Sequence, residues 1–311
     1  NCVVFKPAET VPACAAALAG IINRAGLPAG VFNLVMGSGR QVGERIVASP
    51  LVQAISFTGS VATGTRVLQA AAARQARVQL EMGGKNPLVL WNDANLDTAV
   101  DAALNGAFFS TGHRCTASSR LIVERGVFEP FVAALKAKLA ALTVDHALRH
   151  GTDIGPVANE QQLAVTLDYL RAGREEGAEL VAGGRQLERA TRGYFLEPAL
   201  FIGEPEHRIA REEIFGPVAV AFPADDYDHA LHLANDTPFG LCAGICTQSL
   251  KYARHFRRHS QSGMVMVNLP TAGVDYHVPF GGRKGSSYGP REQGTYAAEF
   301  YTTVKTAYVA G

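Results

Sequence analysis

The sequence predicts an α/β protein in which helices alternate with the strands of parallel sheets. Short apolar runs, such as residues 31–35 and 54–57, alternate with longer helical stretches along the chain. Strand–helix–strand alternation favours parallel strands joined by right-handed crossovers. A chain of 311 residues exceeds what one ordinary hydrophobic core serves, so we expect two domains.

The first predicted region contains four strands separated by helices. A helix follows the first strand, with Thr10 as its N-cap, Pro12 near its first turn and Gly26 at its end. Gly37 and Gly39 interrupt the chain after the second strand. The predicted strands are residues 3–5, 31–35, 54–57 and 78–81, and the helices between them end near residues 26, 48 and 73.

A second α/β region begins where the chain turns at residues 83–87, Gly-Gly-Lys-Asn-Pro. Its predicted elements are strand 88–91, helix 95–110, strand 120–124, a helix through 136, helix 160–176, and two further strand–helix alternations reaching 267. Beyond Pro279 the chain is rich in glycine as far as Gly294. The β-prone run 300–309 has little helical periodicity, so it is predicted to be a strand.

Composition excludes several classes of partner. The 29 basic and 28 acidic residues leave a net charge of +1, which recruits neither nucleic acid nor an anionic membrane. A basic cluster at 254–259 falls late in a predicted helix, where cations are favourable by themselves. No apolar run approaches the roughly 18 residues of a membrane span, and no signal-peptide pattern opens the chain. Five scattered cysteines favour a reducing compartment, so we expect a cytoplasmic protein.

Cys115 is the first candidate for chemistry. It lies in a polar, glycine-containing stretch, residues 110–119, that follows an apolar helix. The thiolate is the reactive form of cysteine, and nearby positive charge lowers the pKa of a thiol. His113 and Arg114 are therefore candidate activators. A small buried hydrophobe is the alternative, although that interpretation suits Cys242 and Cys246 better. The context of Cys115 alone leaves both interpretations open.

Glu81 is the second candidate, because it ends the fourth predicted strand and is followed by Met-Gly-Gly-Lys. The carboxyl edge of a parallel sheet is where α/β proteins place ligands. A buried carboxylate there is suited to act as a general base. The alternative is a surface glutamate paired with Lys85.

Two loops are candidates for a phosphate contact. Gly37, Gly39 and Gly43 follow a strand and open a helix, although their spacing departs from the dinucleotide fingerprint. Gly59 and Ser60 also lie between a strand and a helix, where backbone N–H groups are free to bind an anion. Taken singly, each loop also fits an ordinary turn.

Six short motifs, taken together and in order, resemble the aldehyde dehydrogenase superfamily. They are residues 6–9 (KPAE), 57–60 (FTGS), 80–85 (LEMGGK), 112–115 (GHRC), 212–217 (EEIFGP) and 279–282 (PFGG). The resemblance runs over the whole chain. Residues 277–294 and 112–120 look most like the branch that oxidises 2-oxoglutarate semialdehyde (2,5-dioxopentanoate).

The resemblance implies a Rossmann-type parallel-sheet cofactor domain, incomplete here, beside an α/β catalytic domain. The implied division is residues 1–82 for part of the NAD(P)-binding domain, 83–285 for the catalytic domain, 286–298 for a return to the cofactor domain, and 299–311 for an oligomerisation strand. In the family an asparagine upstream of the first strand completes the oxyanion hole. The sequence holds no such motif, so we expect an N-terminally truncated chain with one oxyanion donor missing. The intact protein is expected to be a homodimer or homotetramer.

Catalytic roles also follow from the resemblance. Cys115 matches the nucleophile that attacks the aldehyde, and Glu81 matches the base that activates water for thioester hydrolysis. Glu292 matches a second acid that relays protons. We predict no metal ligands.

Cofactor and substrate contacts are carried over in the same way. Lys6 and Glu9 match the adenosine ribose contacts, and a carboxylate there favours NAD over NADP. Gly59 and Ser60 match the pyrophosphate contact, while Glu213 and Phe215 match the grip on the nicotinamide ribose. Phe280 would line the aldehyde tunnel, and the candidate anchors for a distal carboxylate are Arg114, Arg283 and Ser286.

Three alternatives stay open. The first keeps the same chemistry and replaces the substrate with succinate semialdehyde. In the second, a cysteine hydrolase uses Cys115 and Glu81 without a cofactor, which leaves the nucleotide motifs unexplained. In the third, an impaired or structural paralogue keeps the fold without the activity.

Overall fold

The computed structural model describes all 311 residues as two compact units. The first unit consists of residues 1–80 and 289–311, and the second of residues 81–288. The predicted domain boundaries, after residues 82 and 285, lie within a few residues of these divisions.

The first unit alternates strands and helices as the sequence predicts. Its elements are β1 (Val3–Phe5), α1 (Pro12–Arg24), β2 (Phe32–Leu34), α2 (Glu44–Ala48), β3 (Ala54–Thr58), α3 (Val61–Ala72) and β4 (Arg77–Glu81), whose last residue begins the second unit. Strands β1 and β2 are parallel, with Val4 opposite Asn33. Strand β3 lies beside β4 in a separate sheet.

Helix starts in this unit follow local chemistry. Ser60 is the N-cap of α3, and its hydroxyl accepts a hydrogen bond from the Thr63 N–H at 3.3 Å. Ser38 caps the short helical turn 39–43 in the same way. The predicted cap Thr10 is wrong, because α1 begins after Val11 without a side-chain cap. Pro12, at the first helical position, already has the helical φ and no N–H to satisfy.

The second unit is built on a seven-stranded sheet. Its elements are β5 (Asn86–Leu90), α4 (Leu96–Phe108), β6 (Ser118–Glu124), α5 (Phe128–Ala140), α6 (Glu160–Glu175), β7 (Glu179–Ala182), β8 (Gln186–Leu187), β9 (Phe195–Leu196), β10 (Ala199–Ile202), α7 (Arg208–Arg211), β11 (Val218–Ala224), α8 (Tyr227–Asn235), β12 (Cys242–Cys246), α9 (Leu250–His259), β13 (Met264–Val267) and β14 (Ser287–Tyr288). The strand order is β13-β12-β5-β6-β11-β10-β7. All neighbours are parallel except β10 and β7.

Helices cover both faces of this sheet, so its central strands are apolar on both sides. Leu88 and Leu121 point into a core formed with α4 and α5. Their neighbours Val89 and Ile122 point into a second core formed with α6 and α8. This alternation explains why the strands read as continuous apolar runs. No helix combines the length and the apolar character needed to cross a membrane.

Residues 300–309 form no strand within the single chain, so the oligomerisation strand stays a prediction. Helix α10 (Ala297–Tyr301) occupies the start of this run, and residues 302–311 are exposed without regular structure. A β-prone segment becomes a strand only when another strand supplies its hydrogen bonds, and no strand of the chain pairs with these residues.

We expect Phe201→Ala to destabilise the protein by about 3–5 kcal/mol, because it removes a fully buried ring and leaves a cavity. Urea unfolding followed by circular dichroism measures this change. Leu148→Ala is the control, since Leu148 is 90% exposed and its loss should change stability by less than about 0.5 kcal/mol. Equal effects of the two substitutions would contradict the assigned core.

Candidate active site

The site in the second unit lies at the amino ends of four neighbouring strands. The turn at Gly84 precedes β5, the loop carrying Cys115 precedes β6, and Pro217 precedes β11. Cys242 is the first residue of β12. Since these strands are parallel, their amino ends share one edge of the sheet. Glu81 lies at the carboxyl end of β4, as predicted. The seven-stranded sheet, in contrast, contributes the amino ends of its strands to the site.

The loop before Cys115 has a strained backbone. Ser110, Thr111 and Gly112 have φ angles of 55°, 58° and 65°, a region that residues with a side chain rarely adopt. The Thr111 hydroxyl donates to the carbonyl of Gly155 at 3.3 Å. A Cβ at position 112 would overlap the carbonyl of Gly216. Neighbouring segments therefore hold the loop in a conformation that it would not adopt alone.

One buried amide fastens this loop to the sheet. The Asn86 Nδ2 donates to the carbonyl oxygens of Cys115 at 2.8 Å and Ala117 at 2.9 Å. Its Oδ1 accepts the backbone N–H of Cys242 at 2.9 Å. Asn86 is only 2% exposed, and one side chain thus joins the starts of β5, β6 and β12. The sequence analysis did not single out this residue.

The thiol of Cys115 is partly buried and faces two carboxylates. Burial, followed by the negative charges of Glu213 and Glu81, raises the pKa of Cys115 to about 11. The backbone N–H groups of Cys115 and Thr116 donate to the sulfur and oppose this rise in pKa. At neutral pH the thiol is protonated, so a neighbouring base has to take its proton before it can attack a carbonyl carbon.

The two predicted activators of the thiol, Arg114 and His113, do not supply positive charge to it. The Arg114 guanidinium donates to the Ser110 hydroxyl at 3.1 Å and to Asn105 at 3.3 Å. Burial lowers the pKa of His113, which favours its neutral form. The expectation that these residues lower the pKa of Cys115 is therefore wrong, because burial and two anionic neighbours raise that pKa.

Glu81 is buried beside the same thiol. It is 3% exposed, and its Oε2 accepts a hydrogen bond from the Ser287 hydroxyl at 2.6 Å. A surface ion pair with Lys85 is ruled out, since Lys85 is also buried and its Nζ has no hydrogen-bond partner. Burial and the charge of Arg120 lower the pKa of Lys85 to about 7. Ser287 carries no distinguishing sequence signal, and the sequence analysis missed it.

Glu213 and Phe215 lie on the connection between α7 and β11, and the charge of Glu213 acts on this thiol. The Glu213 carboxylate accepts the Gly84 N–H at 2.8 Å, and burial raises the pKa of Glu213. A Cβ on Gly83 would overlap that carboxylate, so a side chain there would displace Glu213 from its present position. Phe215 has a φ of 55° and stacks on His113 with ring centroids 5.6 Å apart.

In the first unit, two motifs come together at the carboxyl ends of β1 and β2. The Lys6 ammonium donates to the carbonyl of Gly37 at 3.1 Å. The Glu9 carboxylate accepts the Gly39 N–H at 3.0 Å. The glycine loop and the Lys6–Glu9 motif, weak signals when separate, thus form one polar cluster at the sheet edge where α/β proteins bind ligands.

The other predicted residues of the first unit are placed as follows. Gly59 and Ser60 are exposed at the start of α3, where the first N–H groups of a helix lack intrahelical partners. Glu292 is half-buried and accepts a hydrogen bond from the Ser56 hydroxyl at 3.4 Å. Burial raises the pKa of Glu292.

The substrate anchors predicted from sequence differ in their surroundings. Ser286 is wrong as an anchor, because it is fully buried and its hydroxyl bonds the carbonyl of Gly83 and the N–H of Gly240. Arg283 is exposed and Phe280 is partly buried. Arg114 retains the contacts described above and lines a small cavity with Glu213 and Phe215.

We expect alkylation of Cys115 by iodoacetamide to rise with pH up to about 11, because the reactive thiolate forms only near its pKa. Glu213→Gln removes a negative charge and should lower the pKa of Cys115. Alkylation at pH 8 should become roughly tenfold faster for each unit by which this pKa falls. Intact-mass measurements in a Cys2→Ser/Cys14→Ser background report the rate, since those two thiols are exposed.

Glu212→Gln is the matched control, because the Glu212 carboxylate bonds Arg208 and Tyr169 instead. Its alkylation profile should match that of the parent protein. An unchanged rate in Glu213→Gln would contradict the assigned electrostatics.

Comparison with known proteins identifies the family. The model of the aldehyde dehydrogenase family matches residues 1–307. An alpha-ketoglutaric semialdehyde dehydrogenase of Bacillus subtilis (strain 168) is 44% identical over 99% of this chain. A 2,5-dioxopentanoate dehydrogenase of Saccharolobus solfataricus is 39% identical over the same share. The chain spans 64% and 65% of the lengths of these two relatives.

Solved structures agree with this result. The structure of HpcC from Thermus thermophilus is similar with a TM-score of 0.95 at 42% identity, over 100% of this chain and 62% of that one. A betaine aldehyde dehydrogenase from Staphylococcus aureus, solved in complex with NAD+, gives a TM-score of 0.93 at 30% identity, over 96% and 60%. The chain therefore belongs to the aldehyde dehydrogenase family.

Proposed function

We propose that the protein oxidises an aldehyde to its carboxylate with NAD(P)+, using Cys115 as the nucleophile and Glu81 as the general base. The observation that carries this proposal is the setting of the Cys115 thiol. The buried Glu81 and the partly buried Glu213 act on a sulfur that also faces two backbone N–H groups. One group can thus remove the proton of the thiol, while the amides stabilise negative charge at the reacting atoms.

The residues of the chain support the reaction in two stages. In the first, the Cys115 sulfur forms a bond to the aldehyde carbon, and the thiol proton passes through a base such as Glu81 to solvent, which leaves Glu81 ionised again. Loss of hydride from that carbon leaves a thioester on Cys115. In the second stage Glu81 takes a proton from water, the water oxygen bonds the carbonyl carbon, and the carbon–sulfur bond breaks. The products are a carboxylate and regenerated Cys115.

A nicotinamide dinucleotide supplies the hydride acceptor when bound, and several groups fit it. Lys6 and Glu9 offer an ammonium and a carboxylate at the ends of parallel strands, suited to ribose hydroxyls. Gly59 and Ser60 open an exposed helix start, suited to a pyrophosphate. Glu213 and Phe215 are proposed for the nicotinamide ribose. The staphylococcal relative with NAD+ supports the same cofactor class.

For the substrate we propose a semialdehyde, with 2-oxoglutarate semialdehyde first and succinate semialdehyde second. Relatives named for the first compound are 44%, 41% and 39% identical to the chain. Arg114 and Arg283 are the proposed anchors for its distal carboxylate, and Phe280 is proposed to line the entrance. Betaine aldehyde, the substrate in the names of relatives at 40% identity, is cationic and would be repelled by both arginines.

Two other functions use the same residues. A cofactor-independent cysteine hydrolase leaves the Lys6–Glu9 cluster without a role. A structural or impaired family member needs no base beside its thiol. Both are excluded if the purified protein forms NADH from NAD+ only when an aldehyde is present.

Cys115→Ser should abolish NAD(P)H formation while NAD+ binding survives, because a serine hydroxyl in this setting is a far weaker nucleophile. Absorbance at the reduced-nicotinamide band measures turnover with 2-oxoglutarate semialdehyde, succinate semialdehyde and betaine aldehyde. Calorimetry measures NAD+ binding. Cys246→Ser, a fully buried thiol on β12, is the control expected to retain turnover. Turnover in Cys115→Ser would refute the assigned nucleophile.

Glu81→Gln should slow thioester hydrolysis more than hydride transfer, because the amide cannot accept a proton from water. Stopped-flow absorbance should therefore show a burst of NADH, close to one equivalent per site, followed by a slow steady state. If both phases slow equally and no burst remains, Glu81 acts mainly on the thiol.

Glu9→Gln should narrow a preference for NAD over NADP by roughly tenfold, because the carboxylate that repels a 2′-phosphate is gone. The ratio of kcat/KM for the two cofactors measures this preference. Glu44→Gln, an acid elsewhere in the first unit, should leave the ratio unchanged. A constant ratio in Glu9→Gln would place the adenosine ribose elsewhere.

A further inference from the structure

Two adjacent serines near the end of the second unit have different partners. The Ser286 hydroxyl bonds only backbone groups, donating to the Gly83 carbonyl at 2.7 Å and accepting the Gly240 N–H at 3.0 Å. The Ser287 hydroxyl donates to the Glu81 carboxylate at 2.6 Å. One serine therefore secures a turn, and its neighbour contacts the proposed base.

Backbone geometry explains the difference. Ser286 ends the helical turn Lys284–Ser286, whereas Ser287 is extended, with φ −148° and ψ 152°, so the two side chains have different surroundings. The Met82 N–H donates to the Ser286 carbonyl at 2.8 Å, so the segment around Glu81 runs beside the two serines. This pairing brings the Ser287 hydroxyl to the Glu81 carboxylate.

The hydrogen bond that the Ser287 oxygen accepts determines where its own proton points. Its oxygen accepts the Gly282 N–H at 2.6 Å, and an N–H group can only donate. The single hydroxyl proton is therefore left for Glu81. Its 2.6 Å distance lies in the range of charge-assisted O–H···O⁻ bonds. Gly282 can approach this closely because it has no side chain, since a Cβ there would lie 3.0 Å from the Gly240 carbonyl.

We propose that Ser287 is a positioning residue that fixes the orientation of the Glu81 carboxylate and keeps it ionised for thioester hydrolysis. The inference rests on the proposed function, in which Glu81 is the general base. Ser287 keeps its own proton throughout. The proton of the attacking water goes to Glu81, and Cys115 leaves as the thiolate.

The hydrogen bond from Ser287 should change the ionisation of Glu81 in a definite direction. A hydroxyl that donates to a carboxylate stabilises the ionised form, which is the form that accepts a proton from water. Without this donor, Glu81 becomes protonated at higher pH. The acid limb of the pH profile for hydrolysis should then move toward higher pH.

The first experiment compares Ser287→Ala, Ser287→Thr and Ser286→Ala in steady-state turnover between pH 5 and 9. Ser287→Ala should move the acid limb upward by about one pH unit, with a ~10-fold loss of kcat below the limb and little change in KM for NAD+. Ser287→Thr retains a hydroxyl and should restore the parent profile. Ser286→Ala should lower Tm without moving the limb.

The second experiment needs no turnover. Glu81 influences the Cys115 thiol, so its ionisation should appear as an inflection in the pH profile of Cys115 alkylation. Ser287→Ala should move that inflection upward, and Glu81→Gln should remove it. In a Glu81→Gln background, Ser287→Ala should have no further effect.

The proposal is overturned if Ser287→Ala leaves both profiles in place, if Ser286→Ala shifts them equally, or if the effect persists in Glu81→Gln. Failure of the proposed function is distinct. If the protein forms no NADH but its alkylation profile still depends on Ser287 through Glu81, the dehydrogenase activity is refuted. The contact between Ser287 and Glu81 is then still supported.

Discussion

The site of the second unit depends on the hydrogen bonds of the Asn86 side chain. This amide joins the nucleophile loop to the start of β12 from its own position at the start of β5. A buried amide that satisfies donor and acceptor at once is costly to replace, since any apolar residue strands three backbone groups. Because the partner carbonyls belong to Cys115 and Ala117, the same bonds fix the backbone around the Cys115 thiol.

The chemistry of the site follows from desolvation. Burial raises the pKa of Cys115 and of Glu213, while it lowers that of Lys85. Each group is therefore closer to its neutral form than it would be in water. Such a site places the Cys115 thiol near carboxylates that can accept its proton. In the proposed function, the thiol becomes a nucleophile when a base removes its proton, and the Ser287 hydroxyl donates a hydrogen bond to the carboxylate proposed as that base.

Much of the fold could be predicted from local pattern, because apolar strands and capped helices are short-range signals. The first-unit strands and most second-unit elements lie where periodicity indicates. The errors have physical causes. Thr10 fails as a cap because Pro12 alone suffices to start α1. Ser286 is buried by a backbone pairing that no local pattern reveals.

Local propensity and motifs in fixed order are enough to establish the succession of strands and helices, the family, and the residue types available for chemistry. Which of those groups meet depends instead on how the chain packs. Packing brings the Lys6–Glu9 motif to the Gly37–Gly39 loop, turns Arg114 toward Ser110, and sets Ser287 against Glu81. These contacts join residues up to 206 positions apart, and no local pattern carries them, because they exist only once the strand ends lie side by side.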